Sequence, residues 1–181
     1  MSPAAPRPPA LAGPARQGTL ASDMTIRNPT DLDELRGQGK RLMALDLGAK
    51  TIGIALSDTR LVIASPRETL RRGKFRDDAA KLRALVEREG VGGIVIGLPV
   101  AMDGSEGPRC QSVRQFARNL LEIFDIPIAF WDERLSTAAV EREMIAADLT
   151  RQRRGEIVDR VAAAYILQGF LDWLGRAGHS R

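Results

Sequence analysis

The chain has 181 residues, of which 44% are hydrophobic, and a formal net charge of +4. This length suits one well-buried domain and is too short for two of ordinary size. The single cysteine, Cys110, excludes an intramolecular disulfide and a cysteine-based metal cluster, and no segment has the roughly 18 apolar residues of a membrane span. We therefore expect a cytoplasmic protein without a membrane partner. Its 27 basic and 23 acidic residues form a mixed surface that permits a nucleic-acid partner without requiring one.

Residues 1–38 are predicted to be a disordered extension rich in proline and alanine. They contain six of the ten prolines and show no hydrophobic periodicity. The lack of acidic residues before Asp23 resembles a transit peptide, but a clear amphipathic helix is missing. Met24 is an alternative start to Met1. The folded domain is predicted over residues 39–176, followed by a flexible tail at residues 177–181.

Beyond residue 40, the hydrophobic pattern alternates between strands and helices. Apolar runs at 42–47 and 52–56, joined by a glycine-containing turn, predict a hairpin, and the run at 61–64 adds a third strand. Helical spacing predicts an amphipathic helix from Phe75 to Glu89, ended by Gly90. Further strands are predicted at 93–97 and 126–133, and further helices at about 113–124, 137–147 and 156–174. This order predicts an α/β fold with a mixed five-stranded sheet covered by helices.

Asp46 is a carboxylate inside the first apolar strand, just before the turn at Gly48. An unpaired carboxylate in an apolar interior costs several kcal/mol, so it persists only if paired, hydrogen-bonded, protonated or bound to a cation. Alternation along the strand places Asp46 on the same face as Leu42 and Ala44, at the exit where a ligand can approach. The alternative is that Asp46 only caps the turn.

Two further segments bring acids to the same edge of the predicted sheet. Asp132 and Glu133 end the last strand, and only one of these neighbours faces the side of Asp46. Asp159 precedes an apolar stripe on the last helix at 163, 166 and 170, so its side chain is predicted to point at the sheet. The alternative for Asp159 is a first-turn acid favoured by the helix dipole.

Carboxylates that converge without histidine or cysteine suit a hard cation such as Mg²⁺ or Mn²⁺. The only histidine, His179, lies in a Gly, Ser and Arg tail, which argues against zinc and against a histidine base. Mg²⁺ and Mn²⁺ take phosphate oxygens as remaining ligands, and a pair of such ions promotes in-line displacement at phosphorus. The pattern therefore indicates phosphodiester chemistry.

The segments around these acids resemble the YqgF/RuvX family of Holliday junction resolvases and pre-16S ribosomal RNA processing nucleases, which have a ribonuclease H-like fold. The matching segments, in order over about residues 40–175, are 46–55, 97–99 with 102–104, 132–137, and 158–159 with 162–163. By position, the resemblance implies that Asp46 is the metal ligand of the first strand and Asp159 the acid of the last helix. Glu133 is implied as the third ligand, with Asp132 in reserve. The proline-rich extension departs from the family pattern, in which the first strand begins near the start of the chain.

Several basic residues are candidate nucleic-acid contacts. Lys50 follows Asp46 in the turn, and Arg134 follows the acidic pair, so both are candidates for contact with a phosphate. Arg153 and Arg154, together with Arg151, lie in the polar link before the last helix and would attract a backbone without regard to sequence. Residues 71–76 form a second basic cluster. Each group has the alternative of being a solvated charge run.

We therefore expect a nuclease dependent on Mg²⁺ or Mn²⁺, with Asp46, Glu133 and Asp159 as its catalytic and metal-binding residues. Its expected substrate is structured pre-ribosomal RNA, with branched DNA as the alternative, and it is expected to be a monomer or a homodimer. Two rival functions remain. The first hairpin is similar to the phosphate-binding hairpin of actin-like ATPases and sugar kinases, although the chain has room for only one such lobe. The other rival is a non-catalytic nucleic-acid-binding module.

Overall fold

A computed structural model describes residues 26–123, 125–136 and 151–178, with residues 151–156 as backbone only. The described part contains five strands, three α-helices and two short 3₁₀ helices, at Pro29–Leu35 and Glu133–Leu135. The strands are β1 (Arg41–Leu47), β2 (Thr51–Ser57), β3 (Ala64–Arg71), β4 (Val91–Leu98) and β5 (Ile128–Asp132). The helices are α1 (Phe75–Glu89), α2 (Pro108–Leu121) and α3 (Arg151–Gly178). No helix in this part of the chain is long and apolar enough to cross a bilayer.

The five strands form one mixed sheet in the order β3-β2-β1-β4-β5. β1 pairs antiparallel with β2 and parallel with β4, while β2 and β3 are antiparallel and β4 and β5 are parallel. The sheet confirms the predicted α/β class and its ribonuclease H-like arrangement. Its central strand, β1, carries Asp46 one residue before the strand ends.

Alternation along the strands divides the core into two layers. Met43 and Leu45 of β1 face the layer that holds Leu82 of α1 and Phe116 of α2. Leu42 and Ala44 face the other layer, which is covered by the apolar stripe of α3 at 163, 166, 167, 170 and 171. The helices therefore lie on both faces of the sheet, as predicted.

The predicted third strand starts in the wrong place. Leu61 is buried with a positive φ of 56°, and β3 begins only at Ala64. The Asp58 carboxylate accepts hydrogen bonds from the backbone N–H groups of Val62 and Ile63, at 2.8 and 2.9 Å, which holds these residues in a turn. A short apolar run therefore became a turn because a nearby aspartate offers its backbone a local partner.

The prediction of disorder through residue 38 is wrong for residues 26–38, while residues 1–25 lie outside the described part. Ile26 forms a bridge with Ile128, and the N–H of Arg27 donates to the carbonyl of Ile128 at 2.8 Å. Leu32 in the first 3₁₀ helix is only 1% exposed and joins the α3 layer of the core. The segment is ordered because its few apolar residues find partners that are remote in sequence.

The last helix is longer than predicted at both ends. It begins at Arg151, inside the predicted polar link, and continues to Gly178, two residues into the predicted tail. The predicted helix at 137–147 and the tail residues 179–181 lie outside the described part.

Helix α3 packs with its backbone directly against β2 at Gly53. A methyl group at position 53 would lie 2.0 Å from the carbonyl oxygen of Asp159 and 2.3 Å from its carbonyl carbon. Only glycine lets a helix backbone approach a strand this closely. The contact fixes the height of Asp159 above the sheet.

We predict that Gly53→Ala lowers the free energy of unfolding by about 3 kcal/mol, because neither backbone can move away from the added methyl group. The midpoint of urea unfolding measures the change. Gly175→Ala in the same helix is the control, because no atom of the described residues outside its own helical turn lies within 4 Å of its added methyl group. The control should gain up to about 1 kcal/mol from helix propensity. An unchanged midpoint for Gly53→Ala would contradict the contact.

Candidate active site

Asp46 lies on the α3 face of the sheet, 5% exposed, between two glycines on the neighbouring strands. Its partner across the antiparallel β1–β2 ladder is Gly53. On the other side, the pair Leu45–Ile96 sets the parallel register, so the next residues, Asp46 and Gly97, lie side by side. Because neither neighbour has a side chain, the space beside the Asp46 carboxylate is open to groups from other segments.

The Glu133 carboxylate occupies the space above Gly97. A methyl group at position 97 would lie 2.8 Å from Glu133 Oε1 and 3.2 Å from its Cγ, and 2.7 Å from Cδ1 of Ile166 on α3. Glu133 belongs to the short 3₁₀ helix that follows β5, and its side chain lies over β4 at Gly97. Glu133 is thus on the same face as Asp46.

Asp132 has a different role, because Arg134 engages its carboxylate. Arg134 donates from Nη2 to Oδ2 at 2.6 Å and from Nε to Oδ1 at 3.0 Å, and its backbone N–H donates to Oδ1 at 3.0 Å. The side-chain hydrogen bonds from Arg134 hold the pKa of Asp132 below its ordinary value of 3.8. The same contacts raise the pKa of Arg134. The structure therefore separates the two acids, with Glu133 over the sheet and Asp132 engaged in positioning Arg134.

Asp159 approaches the site from helix α3. Its backbone lies over Gly53, and its carboxylate accepts a hydrogen bond from the hydroxyl of Thr51. Asp159 is eight residues beyond the first residue of α3, so the alternative of a first-turn acid favoured by the helix dipole is wrong. The side chain points at the sheet, as its spacing from the apolar stripe predicted.

The three acids come from three segments but belong to one row of the sheet. Neighbouring strands are about 4.8 Å apart, so Gly53, Asp46 and Gly97 span about 10 Å. Asp159 lies over the first of these positions and Glu133 over the last. Among the described residues, no three His, Cys, Asp or Glu side chains are close enough together to form a ready metal site. The hydrogen bond to Thr51 is one contact that holds the Asp159 carboxylate to β2.

The donor set fits a hard divalent cation. All three side chains offer carboxylate oxygens, and the two glycines leave a cradle that a β-carbon at 97 would fill. Mg²⁺ and Mn²⁺ prefer such oxygens and keep several waters, so they need few protein ligands. Asp46 and Glu133 are the candidate ligands, and Asp159 joins them if its carboxylate leaves Thr51.

The predicted basic contacts divide into three cases. Lys50 is exposed in the turn between β1 and β2, four residues after Asp46. Arg134 is partly exposed, oriented by Asp132, and donates from Nη1 to the carbonyl of Met102 at 3.5 Å. The side chains of Arg153 and Arg154 lie outside the described part.

Sequence reasoning missed Thr51, Gly53 and Gly97 as parts of the site. A usable signal was present for the glycines, because a glycine inside a strand pattern indicates a bulge or a close backbone approach. Thr51 carried no such signal, since threonine is common in strands for other reasons.

One family model and several related proteins match this chain. Residues 40–173 match the family described as RuvX, Holliday junction resolvase. A protein of Paramagnetospirillum magneticum, named as a pre-16S rRNA nuclease, is 59% identical over 149 residues, which cover 82% of this chain and 96% of that protein. A protein of the same name from Rhodospirillum centenum is 57% identical over 156 residues, with 83% of each chain covered. Among solved structures, T. thermophilus RuvC in complex with Holliday junction substrate gives a TM-score of 0.49 at 12% identity, covering 75% of this chain and 96% of that chain.

We predict that Gly97→Ala weakens Mn²⁺ binding at least about tenfold, because the methyl group, packed against Ile166 Cδ1 on one side, displaces the Glu133 carboxylate from its place over Gly97. Isothermal titration of the purified protein measures the affinity. Gly92→Ala on the same strand is the matched control, since the three atoms nearest its methyl group would be side-chain atoms of Lys40 and Leu35, at 2.9 to 3.2 Å. Both variants should lose about 1–3 kcal/mol of stability from crowding. Equal Mn²⁺ affinity in the two variants would refute a ligand role for Glu133.

We predict that Arg134→Gln raises the pKa of Asp132 toward 3.8, because the hydrogen bonds that favour the charged form are lost. In the native protein this lowered pKa contributes stability above the unfolded-state pKa of about 3.9, and the contribution disappears as pH falls through the folded-state pKa. The variant should therefore lose less stability than the native protein on acidification below about pH 4. A carboxyl ¹³C titration by NMR measures the pKa. An Asp132 resonance with the same midpoint in both proteins would contradict this account.

Proposed function

Because the chain belongs to the RuvX family, we propose that it is a nuclease that hydrolyses phosphodiester bonds in a precursor of 16S ribosomal RNA. Two relatives that are more than half identical over most of both chains are named for that activity. The observation that carries the proposal is the row of Asp46, Glu133 and Asp159 on one face of the sheet.

The site would hold Mg²⁺ or Mn²⁺ through Asp46 and Glu133, with Asp159 as the third acid. A divalent ion in this position supplies a nucleophilic water at neutral pH and neutralises charge that develops on the phosphate. Asp46 is fixed by the central strand, and Glu133 is fixed by the turn after β5, so two carboxylates are oriented before substrate arrives. Preorganised oxygens of this kind need little rearrangement during reaction.

Basic side chains around the acids would receive the substrate. Lys50 extends from the turn that follows Asp46, and Arg134 is held by Asp132 beside Glu133. Contacts of this kind with phosphates position a strand without reading its sequence. The proposed substrate is therefore selected by shape and by strand accessibility rather than by base sequence.

The proposal also includes a cytoplasmic location, where ribosomal RNA of bacteria is processed.

A second substrate, branched DNA, is favoured by the description of the matching family as Holliday junction resolvase. A resolvase cuts two symmetric strands, which would require a homodimer. An RNA-processing nuclease has no such requirement. Oligomeric state and substrate preference are therefore linked in the test.

The test incubates the full chain with Mg²⁺ or Mn²⁺ and either a 16S ribosomal RNA precursor or a four-way DNA junction. We expect RNA cleavage that requires the metal. Asp46→Asn, Glu133→Gln and Asp159→Asn should each lower its rate at least about 100-fold, which corresponds to about 2.7 kcal/mol of lost transition-state stabilisation.

Asp172→Asn is the matched control, because Asp172 is an exposed acid on the same helix as Asp159 and accepts a hydrogen bond from Gln168 of that helix at 2.9 Å. It should cleave at the native rate. Cleavage of the junction alone would favour the second substrate. Binding of either substrate without metal-dependent cleavage would reject the nuclease in favour of a binding module, and nucleotide hydrolysis without cleavage would favour the kinase-like rival.

A further inference from the structure

A cavity of about 240 Å³ lies beside the β1–β2 turn, on the side of the sheet opposite the acids. Its apolar floor includes Leu47, Val113 and Phe116, which belong to the layer covered by α1 and α2. Its rim holds two arginines, Arg72 and Arg109. None of the described residues that line it is acidic. The cavity is thus an electropositive recess at the same end of β1 as Asp46.

Arg72 is held in a fixed orientation at this rim. Its Nη1 donates to the carbonyl of Gly48 at 2.8 Å, and its Cζ lies 5.7 Å from the centre of the Phe116 ring. Its backbone N–H donates to the carbonyl of Lys50 at 2.9 Å. No carboxylate of the described residues forms an ion pair with it. A guanidinium ordered by neutral groups keeps its full charge and its remaining donors for a ligand.

The loop that carries Arg72 is itself anchored from the core. Asp78 of α1 is 1% exposed, and its carboxylate accepts hydrogen bonds from the backbone N–H of Gly73 at 3.0 and 3.2 Å. The loop after β3 and the β1–β2 turn are therefore joined into one rigid unit. Rigidity lowers the entropy that a ligand must overcome when it binds.

Arg109 faces the same recess from the second residue of α2. It is exposed, and no hydrogen bond or ion pair to a described residue is recorded for it. Ser112 lies one turn further along the helix and adds a hydroxyl donor to the rim. Arginine and hydroxyl donors around a recess free of acids match the oxygens of a phosphodiester.

We propose that this recess is a phosphodiester subsite that holds the backbone of the bound strand next to the point of cleavage. The proposal deepens the nuclease function and rests on it. Gly48 is two residues beyond Asp46, about 7 Å along the strand. A strand that crosses the end of β1 can therefore contact the acids on one face and the arginines on the other.

The test measures binding of a short single-stranded RNA of uniform sequence to the full chain as a function of salt concentration. EDTA is present so that no metal-dependent cleavage occurs. Arg109→Gln removes one cation from the rim without breaking a hydrogen bond or an ion pair to another described residue. We expect about fivefold weaker binding at low salt and a salt slope reduced by about 0.7, the value for one phosphate contact on a single strand. Arg109→Lys should keep the slope, because the charge remains. DNA of the same sequence should show the same change, because the contact is to phosphate.

Arg118→Gln is the matched control, since it removes the same charge from the same helix near its other end, where Arg118 contacts Gln115 at 2.9 Å. It should bind as the native chain does. Equal changes for the two glutamine variants, or no salt-dependent binding by the native chain, would overturn the subsite. If the full chain shows no metal-dependent cleavage but Arg109→Gln still weakens binding, the nuclease function is refuted and the phosphodiester-binding recess remains.

Discussion

The backbone contact between helix α3 and strand β2 determines how the site is built. At Gly53 the helix lies so close to the sheet that the carbonyl of Asp159 occupies the place of a side chain. This contact sets both the height and the rotation of α3, whose apolar stripe then covers Ala44, Ala55 and Val95. Asp159 is consequently placed over Gly53, which is the ladder partner of Asp46.

The site combines one rigid acid with two that approach from outside the sheet. Asp46 is buried in the central strand, where an isolated charge would cost several kcal/mol, so the fold tolerates it only with partners around it. Glu133 reaches in over Gly97, and Asp159 is bound to Thr51. The lack of side chains at Gly53 and Gly97 is therefore required for Asp159 and Glu133 to lie over the sheet. Gly48, at the start of the β1–β2 turn, accepts a hydrogen bond from Arg72, so the candidate acids and the proposed phosphate-binding cations are joined to the same turn.

The sequence predicted the parts of the structure that depend on local periodicity. Alternation in β1 located Asp46 on the correct face, and helical spacing gave α1 its observed bounds, Phe75–Glu89. Features that depend on distant partners were missed. Leu32 is buried by residues of α3 more than a hundred positions away, so the local composition around it suggested disorder. The bond between Thr51 and Asp159 likewise joins residues 108 positions apart, and neither residue signals it alone.

The central claim is that Asp46 and Glu133, with Asp159 nearby, bind a divalent ion. Anomalous diffraction from crystals of the full chain grown with Mn²⁺ tests it most directly. The account predicts a manganese peak on the α3 face above Asp46, within about 2.2 Å of oxygens from Asp46 and Glu133. The account is contradicted if crystals at saturating Mn²⁺ show no peak there, or show one bound only by other residues.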